Sequence, residues 1–171
     1  MQGNYIAVFI HSIWTTKCRL PVLPKSIRYP LYEHIRENAM KKGIDLRIVN
    51  GVDDHAHCVF RLLSTQTFSR VIKNLKGESS KWLNDTFFVG GDWNGYLEKM
   101  AKKKGIDPLY YASGFSWQTG YGAVSVSPQN VGKAVQYVFN QERHHAENGL
   151  EDELKLFRYY SDMDWEGLEE M

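Results

Sequence analysis

The sequence predicts an α+β fold of the ferredoxin-like, split βαβ kind: an antiparallel sheet with helices on one face, plus a C-terminal helix. Two observations predict it. Strand-like and helix-like segments follow one another as strand, helix, strand, strand, helix, strand, helix, and the first six match this motif. The length of 171 residues suits one domain with an ordinary core. We therefore predict a single domain over residues 1–171.

Residues 1–66 contain three predicted strands and one predicted helix. Residues 5–14 are apolar on both alternating faces, which is typical of a central strand. Residues 26–42 have apolar side chains at helical spacing and are followed by Gly43, a common helix terminator. Strands are predicted at 44–50 and 55–63.

The clearest helix is predicted next, at residues 67–84, whose apolar residues follow the 3.6-residue period. Ser127 and Pro128 are a typical helix start, and we expect that helix to run to about Glu147. The other predicted elements are a candidate insertion at 85–116 with a short helix at 96–104, a strand at 119–125 and a final helix at 151–160.

The net charge of +1 conceals an uneven distribution. Residues 1–146 contain 19 Lys and Arg against 11 Asp and Glu, whereas the acidic tail, residues 147–171, contains 2 against 9. A basic body suits a polyanionic partner such as nucleic acid. The chain shows neither a signal-peptide pattern nor a membrane-length apolar run, so we expect a cytoplasmic protein.

His55 and His57 lie two residues apart within a predicted strand. Side chains alternate across a strand, so both imidazoles emerge on one face, about 6–7 Å apart. Two neutral imidazoles on one face can bind a metal ion. Taken alone, the pair is more often explained by two strand histidines that only form hydrogen bonds, because such spacing recurs by chance.

Tyr137 and Gln141 stand four residues apart in the helix that starts at Ser127. This spacing places them within about 40° of one another on one side of a helix. His144 lies on the same side and His145 a little off it. A tyrosine beside an apolar helix face is often an ordinary core residue, and a glutamine there is often solvated.

Three segments taken in order resemble the single-tyrosine HUH transposases, which move insertion sequences or act on repetitive extragenic palindromes as single strands. The first is Asp54-His55-Ala56-His57 with the basic helix at 72–77, the second is 115–123, with Trp117-Gln118 ahead of Tyr121, and the third is 135–145. The resemblance covers residues 5–160. It departs from the family in the small Ala56 and in the longer stretch between Asn84 and Phe115.

The resemblance implies a chemistry for these residues. His55, His57 and Gln141 would bind one Mg²⁺ or Mn²⁺, and Tyr137 would be the nucleophile. The product would be a 5′-phosphotyrosine with a free 3′-hydroxyl, which is the intermediate of DNA transposition. Family members are homodimers that recognise single-stranded DNA hairpins, and their tyrosine acts in cis or in trans.

The resemblance and the charge distribution together indicate a DNA-binding surface. Phosphate contacts are expected from basic side chains, and stacking on unpaired bases from Trp117 or Tyr121, although core packing is favoured for Trp117. The predicted phosphate-binding residues are Lys17, Arg19, Lys73, Lys76 and Lys81.

Three other functions are consistent with parts of this pattern. A replication initiator or relaxase shares the histidine pair and the tyrosine chemistry. A domesticated, noncatalytic nucleic-acid-binding module is consistent with the fold. A zinc hydrolase fits poorly, because no third histidine or acid lies at close spacing along the chain. Asp53 and Asp54 are expected to shape the turn before His55.

Overall fold

A computed structural model describes residues 5–88, 94–147, 152, 154 and 155. None of the helices in these ranges has both the length and the apolar character that a bilayer crossing requires. The main elements, in chain order, are β1 (Val8–Thr15), α1 (Lys25–Lys41), β2 (Asp45–Gly51), β3 (His55–Leu62), α2 (Phe68–Leu83), α3 (Asn94–Lys103), β4 (Gly122–Val126), α4 (Val131–Phe139) and α5 (Gln141–Glu147).

The four strands form one antiparallel sheet in the order β2-β3-β1-β4. The β2–β3 hairpin places β3 next to β1, so β1 and β2 flank β3 and run parallel to one another. This is the split βαβ arrangement. The predicted α+β, ferredoxin-like fold is therefore confirmed.

One face of the sheet carries the hydrophobic core. Trp14 of β1 and Ala56, Cys58 and Phe60 of β3 are almost fully buried there. Buried side chains of α1 and α2 belong to the same cluster. Because each large apolar side chain contributes roughly 1.5–3 kcal/mol on burial, this face dominates the stability of the sheet.

The opposite face of the sheet holds the histidines. His11 and Ile13 of β1 alternate with the core residues of that strand, as do His55 and His57 of β3, and all four are buried. Helix α4 lies on this face over β2 and β3. The Asn50 amide of β2 anchors it by donating to the carbonyls at the end of α4, each at 3.0 Å.

The predicted insertion at 85–116 contributes to the same core wherever the structure describes it. Leu97 and Ala101 of α3 are buried in the main cluster, together with Tyr111 and Phe115. The Asn84 side chain joins the two ends of the segment: its amide donates to the Phe115 carbonyl at 2.9 Å, and its oxygen accepts from the Phe115 N–H at 2.6 Å. The segment is thus packed against the body of the protein.

The C-terminal region differs from the prediction in two respects. The single helix expected from Ser127 to Glu147 is interrupted at Asn140, where the backbone leaves helical geometry at φ −88° and ψ 14°. The Asn140 carbonyl then accepts the first hydrogen bonds of α5. The fourth strand begins at Gly122 rather than at residue 119. Most of the predicted helix at 151–160 lies outside the described residues.

Candidate active site

His55 and His57 form the centre of the site on β3. Both imidazoles are fully buried, and their ring centroids lie 5.2 Å apart on the face opposite the core. The strand alternation therefore places the two side chains together, as the sequence predicted.

Each of these histidines is held through its Nδ1 atom. The Asp54 carboxylate lies 2.6 Å from Nδ1 of His55, and Nε2 of His11 lies 3.0 Å from Nδ1 of His57. Both rings therefore direct Nε2 away from these partners. A histidine whose Nδ1 is fixed in this way is a well-oriented Nε2 metal ligand.

Asp54 has a larger role than the turn formation that the sequence suggested. Burial raises the pKa of its carboxyl, but the hydrogen bond to His55 and the nearby positive groups outweigh this effect, so the pKa lies below its ordinary value. Asp54 therefore remains an ionised acceptor for the His55 ring. Its neighbour Asp53 instead binds Arg28 at 2.6 Å.

Helix α5 brings two further side chains to the histidines. Gln141 is fully buried, and neither polar atom of its amide has a hydrogen-bond partner among the residues that the structure describes. His145, one turn later, places Nε2 at 2.9 Å from Nε2 of His55. Ligand atoms of His55, His57 and His145 all lie within 4.8 Å of one another.

This arrangement is suited to a metal ion. A buried amide without a partner costs on the order of 1–3 kcal/mol, and a cation beside the Gln141 oxygen would remove part of that cost. No third histidine lies at close spacing to His55 and His57 along the chain, but His145 approaches His55 in space from a different element.

Tyr137 borders the same cluster from α4. Its partly buried ring lies with its centroid 5.8 Å from that of His11 and 6.1 Å from that of His57, edge-on to both. His144 covers another side of the ring at 5.0 Å. The structure thus brings Tyr137 and the strand histidines of one chain into a single site.

A charged cluster fixes α5 to the start of α1. The Glu142 carboxylate accepts from Arg28 at 2.7 Å and from the Tyr29 hydroxyl at 2.6 Å, and it pairs with Lys25 at 2.8 Å. The hydrogen bonds from Lys25 and Tyr29, with that from Arg28, lower the pKa of Glu142 to about 2. Since Glu142 directly follows Gln141, this cluster sets the position of α5 relative to the sheet.

A cleft of 870 Å³ lies along the end of β1 and the start of β4. Ile13 and Thr15 line it and are the register partners of His57 and His55. Arg19 and Tyr121 form part of its wall, and the Tyr121 side chain is exposed. Trp117 is buried and donates from its indole to Ser79 at 2.9 Å, so it packs in the core as the sequence favoured.

The predicted phosphate-binding residues differ in their surroundings. Lys73 is exposed on α2, and Lys81 is exposed but paired with Asp85. The Lys76 ammonium group donates to the carbonyls of residues 118, 119 and 120 at 2.7, 3.2 and 2.9 Å, and burial lowers its pKa. Lys76 therefore supports the loop before β4.

Lys17 and Arg19 lie after β1, close to the histidine end of the sheet. The Lys17 ammonium lies 5.2 Å from the ring centroid of Tyr110, and Arg19 lies 3.9 Å from the Asp54 carboxylate. Cys18 and Arg19 both adopt positive φ angles, 56° and 52°, which is costly for residues other than glycine. This strained turn directs Arg19 toward the site.

Comparison with known proteins identifies the family. Residues 4–99 match the model of the IS200-like transposases, and the chain belongs to that family. The matched region includes His55 and His57 and ends before Tyr137 and α5.

Several solved structures also resemble the chain, whereas no curated protein sequence matches it. A candidate transposase from Deinococcus radiodurans R1 shares 23% identity at a TM-score of 0.58, covering 82% of this chain and 95% of that one. A REP-associated tyrosine transposase bound to a REP hairpin shares 13% identity at a TM-score of 0.49, covering 85% and 73%.

Proposed function

We propose that this transposase cleaves and rejoins single-stranded DNA through a covalent 5′-phosphotyrosine formed on Tyr137. The observation that carries the proposal is the position of the Tyr137 ring, edge-on to His11 and His57 beside a buried set of potential metal ligands. A nucleophile next to a metal site is the arrangement that phosphodiester transesterification requires.

In this proposal His55, His57 and Gln141 hold one Mg²⁺ or Mn²⁺. The oriented Nε2 atoms and the buried, unpartnered Gln141 amide support that assignment. A bound cation would polarise the phosphodiester and neutralise charge that develops on its oxygens.

The covalent step exchanges one phosphoester bond for another and therefore requires no cofactor that supplies energy. The phenol oxygen of Tyr137 loses its proton and forms a bond to phosphorus, while the bond between phosphorus and the 3′-oxygen breaks and that oxygen takes up a proton. A 3′-hydroxyl of another strand then reverses the exchange. A free tyrosine phenol has a pKa of about 10, so the site must assist its deprotonation.

The proposed substrate is a single-stranded DNA hairpin. Its cleaved strand would enter the cleft along β1, the strand that pairs with the histidine strand, where the exposed Tyr121 can stack on an unpaired base. Phosphates would contact Lys17, Arg19 and the exposed Lys73. A homodimer is part of the proposal, and a tyrosine acting in cis agrees with the contacts within one chain.

The test uses labelled hairpin oligonucleotides taken from the DNA that flanks the gene, with Mn²⁺ or EDTA. Wild-type protein is compared with Tyr137→Phe and with Tyr110→Phe, a control at an exposed tyrosine. A Mn²⁺-dependent protein–DNA adduct in wild type and control, absent in Tyr137→Phe, is the expected result.

Other outcomes of this assay favour the other functions. Cleavage to free ends without any adduct, undiminished in Tyr137→Phe, would indicate metal-dependent hydrolysis. Binding without cleavage under every metal condition would favour the noncatalytic module. Nicking of unstructured single strands as efficiently as hairpins would favour an initiator or relaxase.

A further inference from the structure

His145 lies at the metal site without a role in the proposed chemistry. It follows Gln141 by four residues on α5, so both side chains leave the helix on the same side. Gln141 is buried against the histidine face, and His145 reaches His55, with the two Nε2 atoms 2.9 Å apart. Helix α5 thus carries two potential metal ligands, one turn apart, next to the two histidine ligands of β3.

The hydrogen bonds around His55 determine which of the two rings, His55 or His145, donates to the other. The Asp54 carboxylate lies 2.6 Å from Nδ1 of His55 and accepts its hydrogen bond, which leaves Nε2 of His55 as an acceptor. His145 therefore donates its Nε2–H to that atom. Two imidazole nitrogens 2.9 Å apart are close enough to bind one metal ion.

We propose that His145 is a metal ligand, so that the site consists of three imidazoles, His55, His57 and His145, together with the amide oxygen of Gln141. This inference rests on the proposed function in that a divalent cation binds at this site. It adds a ligand from α5 and changes the kind of ion that the site prefers.

The donor set determines that preference. Mg²⁺ favours oxygen ligands and retains its waters, whereas imidazole suits Zn²⁺ and a site with nitrogen ligands binds Co²⁺ more tightly than Mn²⁺. Three imidazoles and one amide oxygen therefore select a transition-metal ion over Mg²⁺. His145 is neutral as a ligand once its proton moves from Nε2 to Nδ1, so its coordination requires no net loss of a proton.

The position of α5 makes the site preformed. Glu142 lies between the two α5 ligands in sequence and is bound by Lys25, Arg28 and Tyr29 of α1. Helix α5 is consequently fixed at its first turn, where Gln141 lies. A ligand on a fixed helix loses little conformational entropy when the ion binds.

The first test measures binding of Co²⁺ alone by visible absorption, in wild type and in His145→Ala, His57→Ala and His144→Ala. His144→Ala is the matched control, because it removes the neighbouring imidazole, which faces the Tyr137 ring. Loss of a ligand should weaken binding at least as much as loss of an outer-sphere partner, about 10–100-fold. We expect that loss in His145→Ala and His57→Ala and near wild-type affinity in His144→Ala.

A second measurement counts the ligands directly in the Zn²⁺-loaded protein by long-range ¹H–¹⁵N NMR of histidine side chains. Three imidazoles with a metal-bound Nε2 are expected, one of which disappears in His145→Ala. Thermal unfolding of the metal-free variant shows whether it is folded, and the NMR count in wild type does not depend on that result.

The outcomes separate this inference from the proposed function. If wild type and His145→Ala bind Co²⁺ equally while His57→Ala does not, and NMR shows only two bound imidazoles, His145 is not a ligand and the two-histidine site stands. If wild type binds no divalent ion, the metal part of the proposed function fails as well.

Discussion

The cluster around Glu142 gives a prediction whose size and pH dependence both follow from the structure. Glu142→Ala removes the carboxylate that joins α5 to Arg28 and Lys25. The Arg28 contact is charge-assisted, and the Arg28 side chain is only 5% exposed, so its loss costs about 1.5–3 kcal/mol. The Lys25 pair involves a 63% exposed lysine and adds little, because solvent screens it.

Glu142 itself is 33% exposed, and solvent screening reduces these contributions. We therefore expect a loss of about 2 kcal/mol in the free energy of unfolding, or roughly 4–8 °C in Tm for a chain of this size. Urea unfolding at pH 7 measures it. Glu33→Ala is the control: that residue forms an exposed pair with Arg36, and its change should stay within about 0.5 kcal/mol.

The pH dependence has a definite sign. The folded-state pKa of Glu142, about 2, lies below its ordinary value of 4.5, so its stabilisation is complete above pH 4.5 and is lost as pH falls toward 2. The stability difference between wild type and Glu142→Ala should therefore shrink between pH 5 and pH 2.5. A difference that stays constant over this range would refute the argument that the ionised carboxylate holds α5.

Two other changes test the surroundings of the site. Asp54→Asn should weaken Mn²⁺ binding about 10–100-fold, as measured by titration, because the amide orients His55 less strongly than the carboxylate does; unchanged affinity would contradict the role of Asp54. Lys73→Met should reduce the slope of the logarithm of the hairpin-binding constant against the logarithm of the salt concentration by about one unit. Lys76→Met should leave this slope unchanged and lower the free energy of unfolding, because the Lys76 ammonium supports the loop at 118–120. Equal salt slopes for the two variants would remove this distinction.

Sequence patterns predicted the strands and helices well because each element depends mainly on the spacing of apolar residues within its own segment. Alternation identified the face of β3 that carries His55 and His57, and helical spacing identified α2 within one residue at each end. The i, i+4 spacing also predicted that Tyr137 and Gln141 share a side, and both meet the histidine face despite the break at Asn140.

The remaining parts of the site depend on contacts between distant segments. His11 supports His57 from 46 residues away, and Glu142 binds Arg28 from 114 residues away. Neither contact can be predicted from residue spacing, because its two partners are far apart in the sequence. In one continuous helix, His145 would lie a little off the side shared by Tyr137 and Gln141. The helix instead breaks at Asn140, and α5 begins a new helix at Gln141.

The most direct test of the phosphotyrosine intermediate is mass spectrometry of the protein–DNA adduct after digestion with a protease and a nuclease. One modified peptide is expected, with the 5′-phosphate of the cleaved strand attached to Tyr137. An adduct on another tyrosine would contradict the assignment of the nucleophile, and cleaved DNA with no attached peptide would contradict the phosphotyrosine mechanism itself.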